Sequence, residues 1–201
     1  ATPPPPTWPV RIPASQFDRW VFEPEKMLQA RVQPRPATIG TAQQQGTLFH
    51  EWVEGYFAES AGAHLSADVD IDGDEPIDYP EDITAWQDAF ERSPYSSMRP
   101  LALEREIHYP LAGHLIICKI DAVFDHDGRV LIIDWKTGRE PQGAEQTSRK
   151  ALQLALYRLA WADWAGVELD QVDAAFWFSA TDHTLKPDAL PGREELEQLI
   201  I

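Results

Sequence analysis

The sequence has 201 residues, 43% of them hydrophobic, so the chain is long enough to form one domain with a substantial core. Its formal net charge is −16, from 33 acidic and 17 basic residues. Because nonspecific binding to nucleic acid is driven by Lys and Arg displacing counterions, this charge excludes a protein that binds nucleic acid by bulk electrostatics. Any contact with nucleic acid must be local, or must depend on a partner that supplies the affinity.

The only cysteine is Cys118. One cysteine excludes an internal disulfide framework, a four-cysteine zinc site and a cysteine-ligated iron-sulfur cluster built from this chain alone. No stretch approaches the roughly 20 apolar residues of a membrane span, and the N-terminus lacks the pattern of a signal peptide. We therefore expect a soluble, cytoplasmic protein without a membrane partner and without an iron-sulfur cluster.

The chain is expected to have one domain. Residues 1–13 are rich in proline and are predicted to form an extended lead-in or linker, followed by a single domain over residues 14–201. An acidic surface loop is predicted at about 62–82, since residues 66–82 contain eight of the 33 acidic residues.

The patterns of apolar residues predict an alternation of helices and strands. In chain order these are helices over 15–30, 46–60 and 83–95, strands over 101–110, 114–124 and 129–136, a helix over 145–165, a strand over 172–180, and a helix after Pro191. This order predicts an α/β or α+β layer, in which helices cover a mixed sheet.

The third predicted strand, LIIDWKTG, ends in an acid and a base. Successive side chains of a strand alternate between faces, so Asp134 and Lys136 point the same way. The simplest interpretation is an exposed charge pair at a strand end, which contributes only about 0–1 kcal/mol.

The turn before this strand predicts that a second acid, Asp121, lies opposite Asp134. Asp127 and Gly128 predict a two-residue hairpin turn, and in that register Asp121 faces Asp134. Facing carboxylates repel each other unless a metal, a shared proton or a base lies between them. Oxygen ligands suit Mg²⁺ or Mn²⁺, and Lys136 would lie beside the ion. A turn centred one residue away, or a bulge, would leave the acids offset, and both could then simply be solvated.

These residues also carry a resemblance to a known family. Asp121 with Asp134-Trp135-Lys136-Thr137-Gly138 resembles the core motif of the PD-(D/E)xK nucleases, specifically the RecB-like branch. That branch has G-x-x-x-H upstream, matched by Gly46 and His50, and Q-x-x-x-Y downstream, matched by Gln153 and Tyr157. The longer stretches around these motifs, IDAVFDHDGRVLIIDWKTG and QLALYRLAWADWAG, resemble the C-terminal nuclease domains of actinobacterial helicase-nucleases of the AdnAB type.

The resemblance implies a restriction-endonuclease-like core and a role for each matched residue. It implies that His50, Asp121, Asp134 and Lys136 are catalytic, and that His50, Asp121, Asp134 and the backbone carbonyl of Trp135 bind Mg²⁺ or Mn²⁺. By the same resemblance, Gln153 and Tyr157 position the DNA strand or the lysine. A glutamate on the preceding strand often contributes in such proteins, and the sequence does not distinguish Glu104 from Glu106 in that role.

The sequence therefore predicts a metal-dependent deoxyribonuclease that hydrolyses phosphodiester bonds. The expected substrate is single-stranded DNA supplied by an attached helicase during DNA end resection and double-strand-break repair. The alternative is a catalytically silent module that keeps the nuclease fold and binds DNA or a partner.

Overall fold

The computed structural model describes residues 8–32, 40–60 and 81–200 of the chain. The helices are α1 (Phe17–Phe22), α2 (Pro24–Val32), α3 (Thr41–Ser60), α4 (Glu81–Arg92), α5 (Gly143–Ala165) and α6 (Arg193–Gln198). The strands are β1 (Arg11–Pro13), β2 (Pro100–Leu111), β3 (His114–His126), β4 (Arg129–Lys136), β5 (Val172–Phe178) and β6 (His183–Leu185). The predicted acidic loop lies outside the described residues up to residue 80. None of the helices within the described ranges has the length and apolar character that crossing a membrane requires.

All six strands form one mixed sheet. The path through it is β1-β3-β4-β5-β6, and β2 also pairs with β3. The β3–β4 hairpin is antiparallel, whereas β4 and β5 are parallel and joined through α5. Helices flank the sheet, so the predicted mixed α/β fold, consistent with a restriction-endonuclease-like core, is confirmed.

The N-terminal part differs from the sequence-based expectation in two ways. Arg11–Pro13, within the stretch predicted as a lead-in, is a strand parallel to β3. Its middle residue, Ile12, is fully buried. The helix predicted over 15–30 is two helices, because Pro24 lacks a backbone N–H and begins α2 after a break at Glu23. The short strand β6, which was not predicted, pairs with β5.

The hairpin between β3 and β4 has the predicted register. Asp127 and Gly128 both have positive φ, at 55° and 76°, as a type I′ turn requires. His126 faces Arg129, and the ladder continues through Ala122 and Ile133. The next positions along the two strands are Asp121 and Asp134.

The sheet separates two apolar cores. The α5-side core joins α5, α1 and α2 to one face of the sheet, and it includes Ile12, Phe17, Ile116, Cys118, Leu156 and Phe176. The α3-side core joins α3 and α4 to the other face and is largely aromatic, with Phe49, Phe57, Phe90, Phe124, Trp135 and Trp177 among its members. The strand β4 alternates between them as predicted, since Ile132 belongs to the first core and Ile133 to the second.

The alternation of side chains along β3 shifts by one residue at Asp121. Cys118 and Ile120 belong to the α5-side core, whereas Ala122 and Phe124 belong to the α3-side core. Opposite this point on β2, Glu104 has a φ of 45°, which a non-glycine residue seldom adopts. The side chains of both strands therefore switch from one face of the sheet to the other at the same level, and Glu104 and Asp121 lie at that level.

Candidate metal centre

Three side chains from three different elements converge beside this shift. His50 of α3, Glu104 of β2 and Asp121 of β3 each offer one ligand atom, and these atoms all lie within 4.8 Å of one another. His50 Nδ1 is 3.5 Å from Asp121 Oδ1 and 3.7 Å from Glu104 Oε1. In the described part of the chain, these three residues form the one cluster of histidine, cysteine or acidic side chains that could hold a metal ion.

The position of His50 follows from how α3 packs. Phe49, Val53 and Phe57 bury one side of the helix in the α3-side core, which leaves His50 at its margin, 29% exposed. His50 Nε2 lies 3.2 Å from the backbone carbonyl oxygen of Trp135. Gly46, one turn earlier, allows the close approach: a Cβ atom there would lie 3.1 Å from Thr137 Oγ1.

The two acids on β2 that the sequence could not distinguish are in different places. Glu104 belongs to the cluster with His50 and Asp121. Glu106 instead contacts His108 Nε2, at 2.6 Å, on an exposed part of the strand. Glu104, unlike Glu106, has a positive φ, and no local sequence signal predicts such a backbone conformation for a glutamate.

Asp134 and Lys136 form a second group, on the α5 side of the cluster. Lys136 Nζ lies 2.6 Å from Asp134 Oδ2, so the lysine is paired with the acid two residues before it. Gln153 connects both residues: its amide Nε2 donates to Asp134 Oδ1 at 3.0 Å, and its Oε1 accepts from Lys136 Nζ at 3.3 Å. The same Nε2 lies 2.8 Å from the hydroxyl of Tyr157, one turn later on α5.

The two groups meet at the end of the β3–β4 ladder. Asp121 Oδ2 accepts a hydrogen bond from the backbone N–H of Trp135 at 2.8 Å, so a side chain completes the pairing where the strands diverge. Asp134 is 2% exposed, and its Oδ2 is the atom paired with the Lys136 ammonium. A buried carboxylate–ammonium pair thus lies directly beside the cluster.

Charge and burial act against each other at these groups. Burial by itself would lower the pKa of His50, but the carboxylates of Asp121 and Glu104 outweigh it and raise the pKa to about 10. Burial raises the pKa of Asp134, partly offset by Lys136. Burial would also lower the pKa of Lys136, but the adjacent Asp134 carboxylate raises it instead. The site therefore concentrates negative charge that His50 and Lys136 balance as cations.

A cleft of about 510 Å³ opens over the cluster, and His50 and Glu104 are part of its lining. Lys119 and Thr137 also line this cleft, and the sequence analysis did not single them out. The signal for Lys119 was available, because it precedes Asp121 by two residues on an alternating strand. The signal for Thr137 was its place inside the motif, next to Lys136.

The donor atoms fit a divalent cation. One imidazole and two carboxylates form a mixed nitrogen and oxygen set, and the carbonyl oxygen of Trp135 lies 3.2 Å from His50 Nε2, the ring nitrogen that does not face the carboxylates. Carboxylate and carbonyl oxygens are ligands that Mg²⁺ and Mn²⁺ accept. The buried carboxylate of Asp134, paired with Lys136, lies beside that set.

Comparison with known proteins places the chain in a family. No curated protein matches the sequence. A family model described as the PD-(D/E)XK nuclease superfamily matches residues 19–200, nearly the whole chain. The chain therefore belongs to the PD-(D/E)XK nuclease superfamily.

Proposed function

We propose that the chain is a deoxyribonuclease domain that hydrolyses phosphodiester bonds with Mn²⁺ or Mg²⁺. The observation that carries this proposal is the convergence of His50, Glu104 and Asp121 within 4.8 Å, beside the Asp134–Lys136 pair. Membership of a nuclease superfamily and the chemistry of the donor atoms both support it. Because one of the donors is an imidazole, we expect Mn²⁺ to bind more tightly than Mg²⁺.

Each residue has a role in this proposal. His50, Asp121 and the carbonyl of Trp135 would hold the ion, with Glu104 as an additional ligand and Asp134 on its inner side. When bound, such an ion polarises the phosphate and lowers the pKa of a coordinated water. Lys136, a cation paired with Asp134, would orient the water or balance charge on the phosphate.

Gln153 and Tyr157 act on this lysine and acid, so we propose that they are positioning residues. The amide of Gln153 contacts both Asp134 and Lys136, which restricts the rotamers of the two charged side chains. Groups that fix the orientation of such side chains commonly change activity by about 10–100-fold when they are removed.

The finer part of the proposal concerns the substrate and the partner. The RecB-like motif order, with Gly46 and His50 before the acids and Gln153 and Tyr157 after them, supports a single-stranded DNA substrate. The similarity to AdnAB-type nuclease domains supports exonucleolytic end resection in DNA repair, next to helicase domains in the cytoplasm. The net charge of −16 is consistent with a motor that supplies most of the DNA affinity. Tight binding of DNA by this chain alone at physiological salt would contradict that division of work.

The test is cleavage of end-labelled single-stranded DNA by the purified chain with Mn²⁺, Mg²⁺ or EDTA. The matched variants are Asp134→Ala and Lys136→Ala, and Lys119→Ala serves as a variant of the cleft outside the proposed metal ligands. We expect Mn²⁺-dependent cleavage that both site variants abolish. Cleavage that survives both substitutions would show that the site is elsewhere.

The alternative is a nuclease fold that binds DNA or a partner without cutting. The presence of the histidine, the acids and the lysine in one place argues against it, because a silent module needs none of these costly buried charges. Absence of cleavage at high protein concentration, together with Mn²⁺ binding that His50→Ala removes, would favour a silent module with an intact metal site.

A further inference from the structure

A second groove lies outside the metal centre, between β1, α1 and α2. Its volume is about 390 Å³, and it is lined by Arg11, Arg19 and Arg31 together with Pro13, Gln16 and Trp20. All three arginines are exposed. In the described part of the chain, the arginines that form close ion pairs are Arg129, Arg149 and Arg193, whereas Arg11 is near enough to Glu106 to contribute, after His108 and Lys119, to the lowered pKa of that carboxyl. Three exposed guanidinium groups thus line one groove on a chain with a net charge of −16.

The groove is built on well-packed elements. The Leu115 N–H donates to the Val10 carbonyl at 2.7 Å, which holds β1 beside β3. Ile12 is fully buried in the α5-side core, so its neighbour Arg11 points away from that core, at the edge of the sheet that β1 forms. Trp20 and Met27 are nearly buried beneath the groove and fix α1 and α2. The arginines therefore project from rigid backbone.

Two basic residues, Arg11 and Lys119, lie between this groove and the metal centre, and both interact with the Glu106 carboxylate. Arg11 pairs with Leu115, so Arg11 and Lys119 lie on the same face of the sheet. Lys119 is four residues further along β3, about 13 Å at 3.3 Å per residue, and it lines the cleft over the metal cluster. Opposite Lys119, Glu106 is held by His108 at 2.6 Å. Asp121 lies two residues beyond Lys119.

We propose that Arg11, Arg19 and Arg31 bind backbone phosphates of the nucleic-acid strand whose scissile phosphate lies at the His50–Glu104–Asp121 cluster. Guanidinium groups match phosphate oxygens bidentately and keep their charge at any working pH. The separation along β3 from Leu115 to Asp121 is about 20 Å, which corresponds to roughly six nucleotides of helical strand at about 3.4 Å each, and to fewer in an extended strand. This inference rests on the proposed nuclease function and adds a phosphate site remote from the reaction.

The first test measures binding without cleavage. Fluorescence anisotropy in EDTA compares labelled oligothymidylates of about 20 and about four nucleotides over a range of salt concentrations. The groove variant is R11Q/R19Q/R31Q, the charge-retaining variant is R11K/R19K/R31K, and the control is K26Q/R92Q/R99Q. The control removes the same charge from exposed positions outside the groove, and thermal unfolding of all variants checks that the fold is kept.

We expect the groove variant to bind the long oligonucleotide more weakly, with a salt-dependence slope smaller by about 2, since each lost phosphate contact on a single strand contributes about 0.7. The lysine variant should keep most of the slope, and the control should resemble the wild type apart from a general charge effect. A groove variant that binds like the control would overturn the proposal. The arginines would then be available for another anionic partner, such as an acidic protein surface.

The second test separates the groove from the reaction. With Mn²⁺, the groove variant should raise KM for the long substrate while leaving its kcat unchanged, and it should cut the short substrate as the wild type does. An equal loss on both lengths would contradict a remote phosphate site. If the wild type cuts neither substrate, the nuclease proposal fails, and the binding measurement still decides the role of the groove.

Discussion

The backbone N–H of Trp135 donates to Asp121 Oδ2 at 2.8 Å, at the point where the ladder between β3 and β4 ends. Facing acids in a sheet would normally repel each other, and this bond shows how the fold accommodates one of them. One oxygen of Asp121 completes the pairing of the backbone, while the other lies 3.5 Å from His50 Nδ1. Asp121 thus has a structural bond and a candidate ligand atom in one carboxylate.

This double role predicts that two substitutions at Asp121 differ in stability but not in metal binding. Asp121→Asn keeps an oxygen acceptor for the Trp135 N–H, whereas Asp121→Ala leaves that buried donor unpaired, at a cost of about 1–3 kcal/mol. Both substitutions should abolish Mn²⁺ binding. Urea unfolding in EDTA measures the first effect and calorimetric titration the second. Equal free energies of unfolding for the two variants would contradict the role of this bond.

Gln153 should affect turnover more than metal affinity. Its amide contacts Asp134, Lys136 and Tyr157, but none of its hydrogen bonds reaches His50, Glu104 or Asp121. We expect Gln153→Ala to lower kcat by about 10–100-fold with a smaller change in Mn²⁺ affinity. Tyr157→Phe removes only one partner of the amide and should change kcat less. A larger loss in Tyr157→Phe than in Gln153→Ala would show that the tyrosine has a separate role.

The close approach of α3 to the motif predicts different effects on stability and activity for alanine substitutions at two glycines of the same helix. A Cβ atom at Gly55 meets nothing within 4 Å, so Gly55→Ala should raise the free energy of unfolding by about 0.5–1 kcal/mol. A Cβ atom at Gly46 lies 3.1 Å from Thr137 Oγ1, so Gly46→Ala should gain less stability and should lower nuclease activity by displacing His50.

The double variant Gly46→Ala with Thr137→Ala tests the cause of this effect. Removing Oγ1 takes away the atom that the new methyl group would meet, so activity should recover relative to Gly46→Ala alone. Thr137→Ala by itself is the control for any direct contribution of the hydroxyl. Lack of recovery would mean that Gly46 matters for a reason other than this contact.

Metal binding should depend on pH through His50. The carboxylates of Asp121 and Glu104 raise the pKa of its imidazole to about 10, so the metal-free site is protonated at neutral pH. A metal ion must displace that proton, and its apparent affinity should rise by about tenfold per pH unit between about pH 7 and 9. Titration calorimetry in buffers of different ionisation enthalpy should detect the released proton. In His50→Gln, the remaining affinity should lose this dependence.

The parts of the site that could be predicted from the sequence depend on local chemistry. The register of the hairpin follows from Asp127 and Gly128, because the turn type and strand alternation fix which residues face each other. The position of Glu104 could not be predicted in this way. Its positive φ is set by tertiary packing where β2 and β3 change face, and a glutamate has no intrinsic preference for that backbone.

The N-terminal strand shows the same limit for pairing over long distances. Arg11–Pro13 has a proline-rich context that is typical of a linker, yet it pairs with β3 about a hundred residues later. Only the alternation of Ile12 between two polar or constrained neighbours hints at a strand. The break at Pro24 was not predicted either, although the sequence contains its signal, since proline disfavours the interior of a helix.

The two cores on either side of the sheet also affect when the chain can act. His50 comes from the helix that the α3-side core holds, whereas Gln153 comes from the helix that the α5-side core holds. A folding intermediate in which either layer has not yet docked lacks either the histidine donor or the group that orients Asp134 and Lys136. The complete arrangement of site residues therefore exists only when both layers have packed on the sheet. Nuclease activity would then indicate that the whole domain is folded.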